Sequence, residues 1–468
     1  MKRRYNLISV RKDLATVAAL CGALTVAAII FRPALPIDET RYLTAAWEMF
    51  LNHNYFLPTL NFAPYHHKPP LLFWLINLSW EIFGAHRWPA VLMVSLISGG
   101  TIFLTHKLVG ILFPEREELA RRVPWIMVAS APFLAMGTAI MFDFLLTFCV
   151  LTAWIFAAKF LKGGKFILTV PAGLALGFGV LAKGPVVLLF TLLPWLLTPF
   201  WYQGVQKKKF YSGLLVMVLV ALAPVSVWLY EVSQGTDKEF FHWLVVEQTK
   251  GRMTGSFGGA HSRPFYFYLP FFIGLFVPWI VFPVFWKKLK TAQRTDAVMR
   301  FCFFTIIPAL VIFTLMSGKQ AHYLVPLLPF VSILIAHCLE STQMQTLKRV
   351  AITATALMVI GQGIASFAVF PRHDISKIAE IVAAHPDTDW AYVRNYHGEV
   401  GFLAKREKPV DGLPDMESLH EWFIKHPDGM AVVRYRTEDD IRPYKVLYTM
   451  DYSSAKKLSV IALNPEYP

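Results

Sequence analysis

Charged residues are scarce in this chain of 468 amino acids, where Asp, Glu, Lys and Arg together make up only 16%. Soluble globular domains carry about 25%. With 55% hydrophobic residues and a mean hydropathy of +0.47, the scarcity excludes an ordinary soluble protein and predicts an integral membrane protein with many spans. The net charge of +14 lies in short basic clusters between apolar runs. This pattern favours membrane lipids as partners and argues against nucleic acid.

Cysteine is rare as well, and its placement indicates neither a disulfide framework nor a metal site. The four cysteines all lie in apolar runs, at Cys21, Cys149, Cys302 and Cys338. They are interpreted as small core or lipid-facing residues. The sequence also lacks a glycine-rich nucleotide motif of the Walker or Rossmann type, so no nucleotide cofactor is expected.

The apolar runs predict an all-α polytopic membrane domain over residues 1–370. Basic clusters mark the cytoplasmic loops, and from the cluster at 2–12 the runs alternate as about eleven transmembrane helices. An interfacial helix is expected near 69–83. No A-x-A cleavage site precedes Pro33, which favours an uncleaved first span.

The segment 371–468 has a different composition and predicts a small soluble α/β domain on the periplasmic side. Helices are expected at 374–385 and 416–426, and strands at 390–395, 430–435 and 457–463. On the same outer side, the topology places two larger loops of the membrane domain, 36–86 and 232–264. Ionisable residues from distant parts of the chain are therefore expected to gather at one face of the membrane.

The first outer loop carries a dense group of charges beside an apolar span. Asp38, Glu39 and Arg41 open a helical pattern, and His67 and Lys68 follow later in the loop. Such charges are costly at a membrane unless they bind something polar. Asp38 also fits a helix N-cap, with Glu39 suiting the first-turn dipole. Capping and catalysis are compatible and both remain open, because residues at i+3 and i+4 share a helical face with Asp38.

Three residues are further candidates for function: Asp143 and Lys183 at the outer ends of spans, and Lys68 just before the interfacial helix. Asp143 is flanked by phenylalanines in an apolar run, and carboxylates embedded in membranes are usually functional. Lys68 and Lys183 are either snorkelling anchors or contacts for a phosphate.

The second outer loop contains Arg252, several glycines and His261, a composition that suits either a flexible loop or a cover over an anionic ligand. His67 and His261 together are candidate ligands of a divalent metal.

Several of these motifs resemble those of one family. The stretches are Asp38-Glu39-Thr40-Arg41-Tyr42, Tyr65-x-x-Lys68-Pro69-x-x-x-x-Trp74, Gly137-Thr138 before Asp143, Ala182-Lys183-Gly184, and Ser317-Gly318-Lys319 followed by Tyr323. Together they resemble the aminoarabinose (4-amino-4-deoxy-L-arabinose) transferase-like glycosyltransferases, a branch of the protein mannosyltransferase class (family 39) with the GT-C fold. The resemblance covers roughly the first 340 residues.

The resemblance implies an inverting membrane glycosyltransferase of the bacterial inner membrane, with its active site facing the periplasm. The sugar would pass from a polyprenyl-phosphate donor to lipid A or another envelope glycolipid. The resemblance implies these roles: Asp38 and Asp143 as catalytic or acceptor-orienting carboxylates; Lys68, Arg252, Tyr323, Arg41 and Lys183 on the donor phosphate; Glu39, Tyr42, Tyr65 and Lys319 in the donor or acceptor pocket.

A metal is part of the same expectation. His67 stands where the family usually has a glutamate before the Lys-Pro pair, so a His67–His261 pair would bind Zn, Mg or Mn. Two alternatives stay open: a protein O-glycosyltransferase with the same type of donor, which needs a genuine base at Asp38, and a lipid-linked sugar transporter. The absence of an internal repeat argues against the transporter.

Overall fold

A computed structural model describes residues 7–247, 263–291, 295–453 and 456–464. In chain order the α-helices of this part are α1 (Leu7–Phe31), α2 (Asp38–Asn52), α3 (Leu71–Phe83), α4 (Arg87–Leu112), α5 (Glu117–Ala129), α6 (Ala131–Met136), α7 (Phe142–Leu161), α8 (Thr169–Lys183), α9 (Val187–Phe190), α10 (Leu192–Leu196), α11 (Thr198–Trp201), α12 (Lys207–Gly235), α13 (Lys238–His242), α14 (Tyr268–Gly274), α15 (Pro283–Thr291), α16 (Ala297–Leu315), α17 (Leu328–Cys338), α18 (Met344–Ala368), α19 (Ser376–Ala384) and α20 (Met416–Lys425).

The strands are β1 (Thr59–Leu60), β2 (Ala63–Pro64), β3 (Trp390–Val393), β4 (Asp411–Leu413), β5 (Met430–Tyr435), β6 (Tyr444–Tyr452) and β7 (Lys456–Leu463). Short 3-10 helices lie at Phe166–Leu168, Phe265–Phe267, Trp279–Val281, Ala321–Leu327, Phe370–Arg372 and Glu438–Ile441, and a π-helix at Trp243–Glu247.

Eight helical segments in the described part are long and apolar enough to cross a membrane. They are Ile8–Phe31, Arg87–Leu112, Phe142–Leu161, Phe166–Lys183, Lys207–Gly235, Ala297–Leu315, Ala321–Cys338 and Met344–Ala368. Each coincides with one of the expected spans. The chain is a multi-pass membrane protein, and the prediction of a mainly helical fold is confirmed.

The other three expected spans are broken into short helices. These stretches are 123–141, which contains the second half of α5 and all of α6; 185–206, which contains α9 to α11; and 265–286, which contains α14 and the start of α15. Each contains at least two prolines. Proline lacks the N–H needed for the helix and clashes with the preceding turn, so a hydrophobic run alone does not give a continuous helix here. The count of about eleven crossings stays a prediction.

Two compact units divide the chain, and the first comprises Met1–Val26, His66–Leu72 and Val91–Ile360. Within it, α8 packs closely on α12, because two glycines of α8 leave room for the facing backbone. A Cβ at Gly173 would lie 2.5 Å from the carbonyl oxygen of Met217, and one at Gly177 would lie 2.5 Å from that of Ala221. Small residues at such a contact let two membrane helices approach closely. Since α8 also packs on α7, the position of its last residue, Lys183, is well determined.

The second unit comprises Ala27–Tyr65, Phe73–Ala90 and Gly361–Pro468. Its five-stranded sheet has the order β4-β3-β5-β7-β6, with β4, β3 and β5 parallel and β7 antiparallel to both of its neighbours. Alternation along β5 buries Val432 on one face against Ile378 of α19, and Val433 on the other face against Leu419 of α20. Both faces of the sheet are therefore covered by helices, which gives the expected α/β domain.

All five secondary-structure segments expected in this domain are present, but β4 and β6 were not predicted. Residues 444–452 alternate poorly, with consecutive exposed positions in the middle of the strand. The strand forms because β7 pairs with it from Tyr444 to Tyr452, with one irregularity between Val446 and Tyr448. Such pairing depends on a distant partner, and local propensity does not reveal it.

The first outer loop belongs largely to this second unit. Glu48 of α2 holds the β1–β2 hairpin, because its carboxylate accepts hydrogen bonds from Thr59 Oγ1 (2.7 Å) and from the backbone N–H groups of Asn61 (2.6 Å) and Phe62 (2.8 Å). The side chain of Asn61 in turn exchanges two hydrogen bonds with the backbone of Val410. The loop and the C-terminal segment thus form one packed body.

Candidate active site

A buried ion pair joins Asp143 and Lys183 in the first unit. Asp143 lies in the first turn of α7 and Lys183 is the last residue of α8. Their Oδ1 and Nζ atoms are 2.5 Å apart, and the two side chains are only 2% and 7% exposed. A carboxylate at a helix N-terminus and an ammonium at a C-terminus are each favoured by the helix dipole. The packing of α7 on α8 therefore brings together two residues that are 40 positions apart in the sequence.

Additional cationic and aromatic groups surround this pair. Lys183 Nζ lies 4.8 Å from the ring centroid of Tyr323, and Lys68 Nζ lies 5.5 Å from that of Phe142. Lys68 and His322 also lie close enough to Asp143 to stabilise its negative charge. We refer to Lys68, Asp143, Lys183, His322 and Tyr323 as the lysine cluster. Four of its members were sequence candidates. His322 was missed, and the only signal for it was its place next to Tyr323.

Lys319 is buried beside the end of α16. Its Nζ donates hydrogen bonds to the carbonyl oxygens of Arg263 (3.1 Å) and Met316. The ammonium group is thus used to join two backbone segments, which is a structural role. The predicted role of Lys319 in a substrate pocket stays a prediction.

Among the described residues, no group of side chains is arranged as the ligands of a metal ion. His67 lies against His66, with ring centroids 4.4 Å apart, and against Trp243, at 6.2 Å. Within the described ranges, no three His, Cys, Asp or Glu side chains are arranged to hold a metal ion. His261 and Arg252 lie outside the described residues. Because one of its two histidines lies outside the described part, the His67–His261 metal site remains a prediction.

The second unit holds another charged group, at the start of α2. Asp38 is the first residue of the helix, and its carboxylate pairs with the guanidinium of Arg41 and accepts a hydrogen bond from Tyr42 Oη (3.2 Å). The expectation that Asp38 caps the helix is wrong, because Ile37 holds the cap position and no side chain caps the helix there. Asp38 instead uses the i+3 and i+4 neighbours on its own face.

Glu39 and Tyr65 support this group from buried positions. Glu39 is 3% exposed, pairs with Arg32 at 3.1 Å and accepts a hydrogen bond from the backbone N–H of Leu35. It therefore ties α2 to the end of α1. Tyr65 is buried and lies close enough to Arg41 to interact with its charge. Burial, and then the charge of Asp38, raise the pKa of Tyr42, so its hydroxyl keeps its proton as a hydrogen-bond donor.

The chain is similar in sequence to known membrane glycosyltransferases. The family model for dolichyl-phosphate-mannose-protein mannosyltransferases matches residues 67–228. Undecaprenyl phosphate-alpha-4-amino-4-deoxy-L-arabinose arabinosyl transferase 1 of Pseudomonas fluorescens is 27% identical over 308 residues, 64% of this chain and 55% of that protein. The corresponding transferase of Enterobacter sp. is 24% identical over 446 residues, 90% of this chain and 74% of that protein.

The fold comparison agrees with the sequence comparison. The crystal structure of ArnT from Cupriavidus metallidurans bound to undecaprenyl phosphate matches with a TM-score of 0.77 and 18% identity, over 95% of this chain and 97% of that one. The chain has the GT-C fold and is similar in sequence to aminoarabinose transferases. It spans about half the length of the Pseudomonas relative. An identity of 18% establishes the fold alone.

Proposed function

We propose that this chain is an inverting glycosyltransferase that moves a sugar of the aminoarabinose type from a polyprenyl-phosphate donor to lipid A or another envelope glycolipid. The observation that carries the proposal is the lysine cluster, in which two lysines and a tyrosine surround one buried carboxylate. It is supported by relatives named as arabinosyl transferases with an undecaprenyl-phosphate-linked sugar.

The lysine cluster has the chemistry needed for the leaving group. Transfer breaks the bond between the anomeric carbon and the phosphate oxygen of the donor, and the departing polyprenyl phosphate takes the electron pair. Preplaced cations and hydroxyl donors stabilise the charge that grows on this phosphate, and they act most strongly where water is excluded. Lys68, Lys183 and Tyr323 supply these groups, while Asp143 holds Lys183 in position.

The carboxylate of Asp38 is assigned to the acceptor. A phosphate oxygen of the acceptor attacks the anomeric carbon from the face opposite the leaving phosphate, which inverts the configuration in one displacement. Because a phosphate oxygen is already ionised near neutral pH, little base strength is required. Asp38, paired with Arg41 and Tyr42, would therefore mainly orient groups.

We place this chemistry on the periplasmic face of the bacterial inner membrane. The supporting observation is the distribution of charge: basic clusters such as 207–209 lie at one end of the apolar segments, as expected for cytoplasmic loops. The sugar's activation would then be completed in the cytoplasm, and the enzyme would need no nucleotide.

Mass spectrometry of cells with and without the gene tests the function directly. The proposal predicts an aminoarabinose-type substituent on the phosphate of lipid A or another glycolipid, present only with the gene. The family model is that of protein mannosyltransferases, so glycoproteins should be analysed in parallel. A gene-dependent glycoprotein with unchanged glycolipids would replace our proposal with protein O-glycosylation.

A further inference from the structure

A pocket of about 230 Å³ lies in the first unit, between the last turn of α7 and the first turn of α12. It is at the opposite end of α7 from Asp143, so it is separate from the lysine cluster. Two glycines in its wall, Gly163 and Gly204, have φ values of +90° and +80° and turn the chain beside the helix ends. We call it the basic pocket, and its principal side chains are those of Phe160, Lys162, Tyr202, Gln206, Lys209 and Phe210.

Aromatic rings support the two lysines of the basic pocket. The rings of Phe160 and Phe210 are stacked with their centroids 6.4 Å apart, and both side chains are buried. Lys209 Nζ lies 5.6 Å from the ring centroid of Phe160, and Lys162 Nζ lies 5.6 Å from that of Tyr202. Lys162 directly follows α7, and Lys209 lies in the first turn of α12. Two ammonium groups from different helices are therefore held beside the same pocket.

The residues that line the basic pocket do not compensate its positive charge. None of them is acidic. In the described part of the chain, the ammonium groups of Lys162 and Lys209 form neither an ion pair nor a hydrogen bond. The exposed Glu115 acts on the charge of Lys162 without forming an ion pair with it. The remaining lysines of the cluster 207–209 add two more positive charges. A recess lined by charge of one sign attracts an ion of the other sign.

The basic pocket lies at the ends of two apolar segments. Phe142–Leu161 and Lys207–Gly235 are both long and apolar enough to cross a membrane, so their ends are expected at the level of the lipid headgroups. On α12 the exposed residues Leu215, Leu219 and Leu222 recur at i, i+4 and i+7 and form one apolar face. Lys208 precedes Leu215 by seven residues and begins the same face. A lipid chain that follows this face has its phosphate at the basic pocket.

We propose that the basic pocket binds the phosphate of an anionic phospholipid of the phosphatidylglycerol type. Lysine is a compact point charge suited to phosphate, and basic pockets between transmembrane helices bind anionic headgroups. A zwitterionic phospholipid is a poorer ligand, because its headgroup ammonium meets two lysines and no carboxylate among the lining residues. Since α7 and α12 both pack on α8, a lipid bound between their ends stabilises this helix group. Such binding does not depend on sugar transfer.

Native mass spectrometry of the purified chain tests the site, with phosphatidylglycerol and phosphatidylethanolamine of identical acyl chains added in equal amounts. We expect the wild type to bind phosphatidylglycerol at least about fivefold more tightly. Lys162→Gln and Lys209→Gln should each weaken this binding about fivefold, and together about thirtyfold. The exposed lysines Lys287 and Lys290 of α15 provide the matched control, because the double substitution Lys287→Gln and Lys290→Gln removes the same charge outside the pocket. This control should bind like the wild type.

Equal binding of the two lipids by the wild type would overturn the inference. An equal loss in the two double variants would overturn it as well, since it would show attraction by net charge alone. If the Lys162 and Lys209 double variant does not fold, the single variants decide, and unchanged affinity in both would contradict the site. Glycerol 1-phosphate carries the same phosphate ester without acyl chains and should not displace the lipid at millimolar concentration. Displacement would assign the pocket to a soluble phosphate instead of a phospholipid.

Discussion

At the scale of single residues, the Asp143–Lys183 pair has a structural role as a buried ion pair, and we propose a chemical role for it. Each side chain is almost completely buried, so removing one partner leaves an uncompensated charge. From the sequence alone, a lysine such as Lys183 at the outer end of a span is more often a snorkelling anchor. The structure places its ammonium group on Asp143 rather than at a free end, because α7 and α8 pack side by side. No sequence pattern predicts a contact across 40 residues.

Single substitutions of this pair should cost more than the double substitution. We expect Asp143→Asn or Lys183→Met alone to lower the free energy of unfolding by about 3–5 kcal/mol, and the pair of substitutions to cost less, because no unpaired charge remains. Thermal unfolding in detergent would measure this, with Lys165→Met as the control at an exposed lysine. Additive losses in the double variant would show that the two side chains do not interact.

At the scale of elements, the contact between α2 and the 397–402 turn organises the second unit. Much of this unit was predictable, since the helical and strand patterns of the C-terminal segment gave five of its elements. The packing of the first outer loop on that segment was not, because it depends on a single threonine hydroxyl and two glycines. His397 carries no local signature, and this contact brings it near Asp38.

Thr44→Val should weaken this contact, since valine has nearly the same shape but cannot form the two hydrogen bonds. Leaving the buried carbonyl of Gly398 and the N–H of Phe402 unsatisfied should cost about 1–3 kcal/mol. We expect a lower unfolding temperature and faster hydrogen exchange in residues 397–402. Thr44→Ser keeps the hydroxyl and should stay close to the wild type. Equal behaviour of the valine and serine variants would mean that the hydroxyl does not hold the turn.

At the scale of the whole molecule, composition alone predicted a polytopic helical protein, and eight helical segments confirm that architecture. The three expected spans that are broken all contain several prolines. Their hydropathy identified them as apolar, but hydropathy does not reveal where proline interrupts a helix. For the candidate site, the sequence and its resemblance to a family supplied eleven residues that lie in the described part of the chain. The partners of Asp38 follow from helical spacing, whereas the pairing of Asp143 with Lys183 depends on packing.

For each unit separately, we predict the side of the membrane on which its exposed residues lie. Asn54 is an exposed residue of the first outer loop and Lys208 an exposed residue of a basic cluster. With cysteine at position 54, intact spheroplasts should react with a membrane-impermeant maleimide, and with cysteine at position 208 they should react only after permeabilisation. The native cysteines are buried or half-buried, which keeps the background low. Labelling of position 208 in intact cells would contradict the topology.

Reconstituted transfer is the most direct measurement of the central claim. Purified protein is mixed with lipid A and a polyprenyl-phosphate-linked aminoarabinose, and mass spectrometry follows both the modified lipid and the released polyprenyl phosphate. We predict that the wild type forms the two products in equal amounts, and that Asp38→Asn and Lys68→Ala, although folded, lose at least about a hundredfold in rate. Full activity in either variant would remove that residue from the mechanism, and donor uptake or translocation without any modified lipid would contradict the account as a whole.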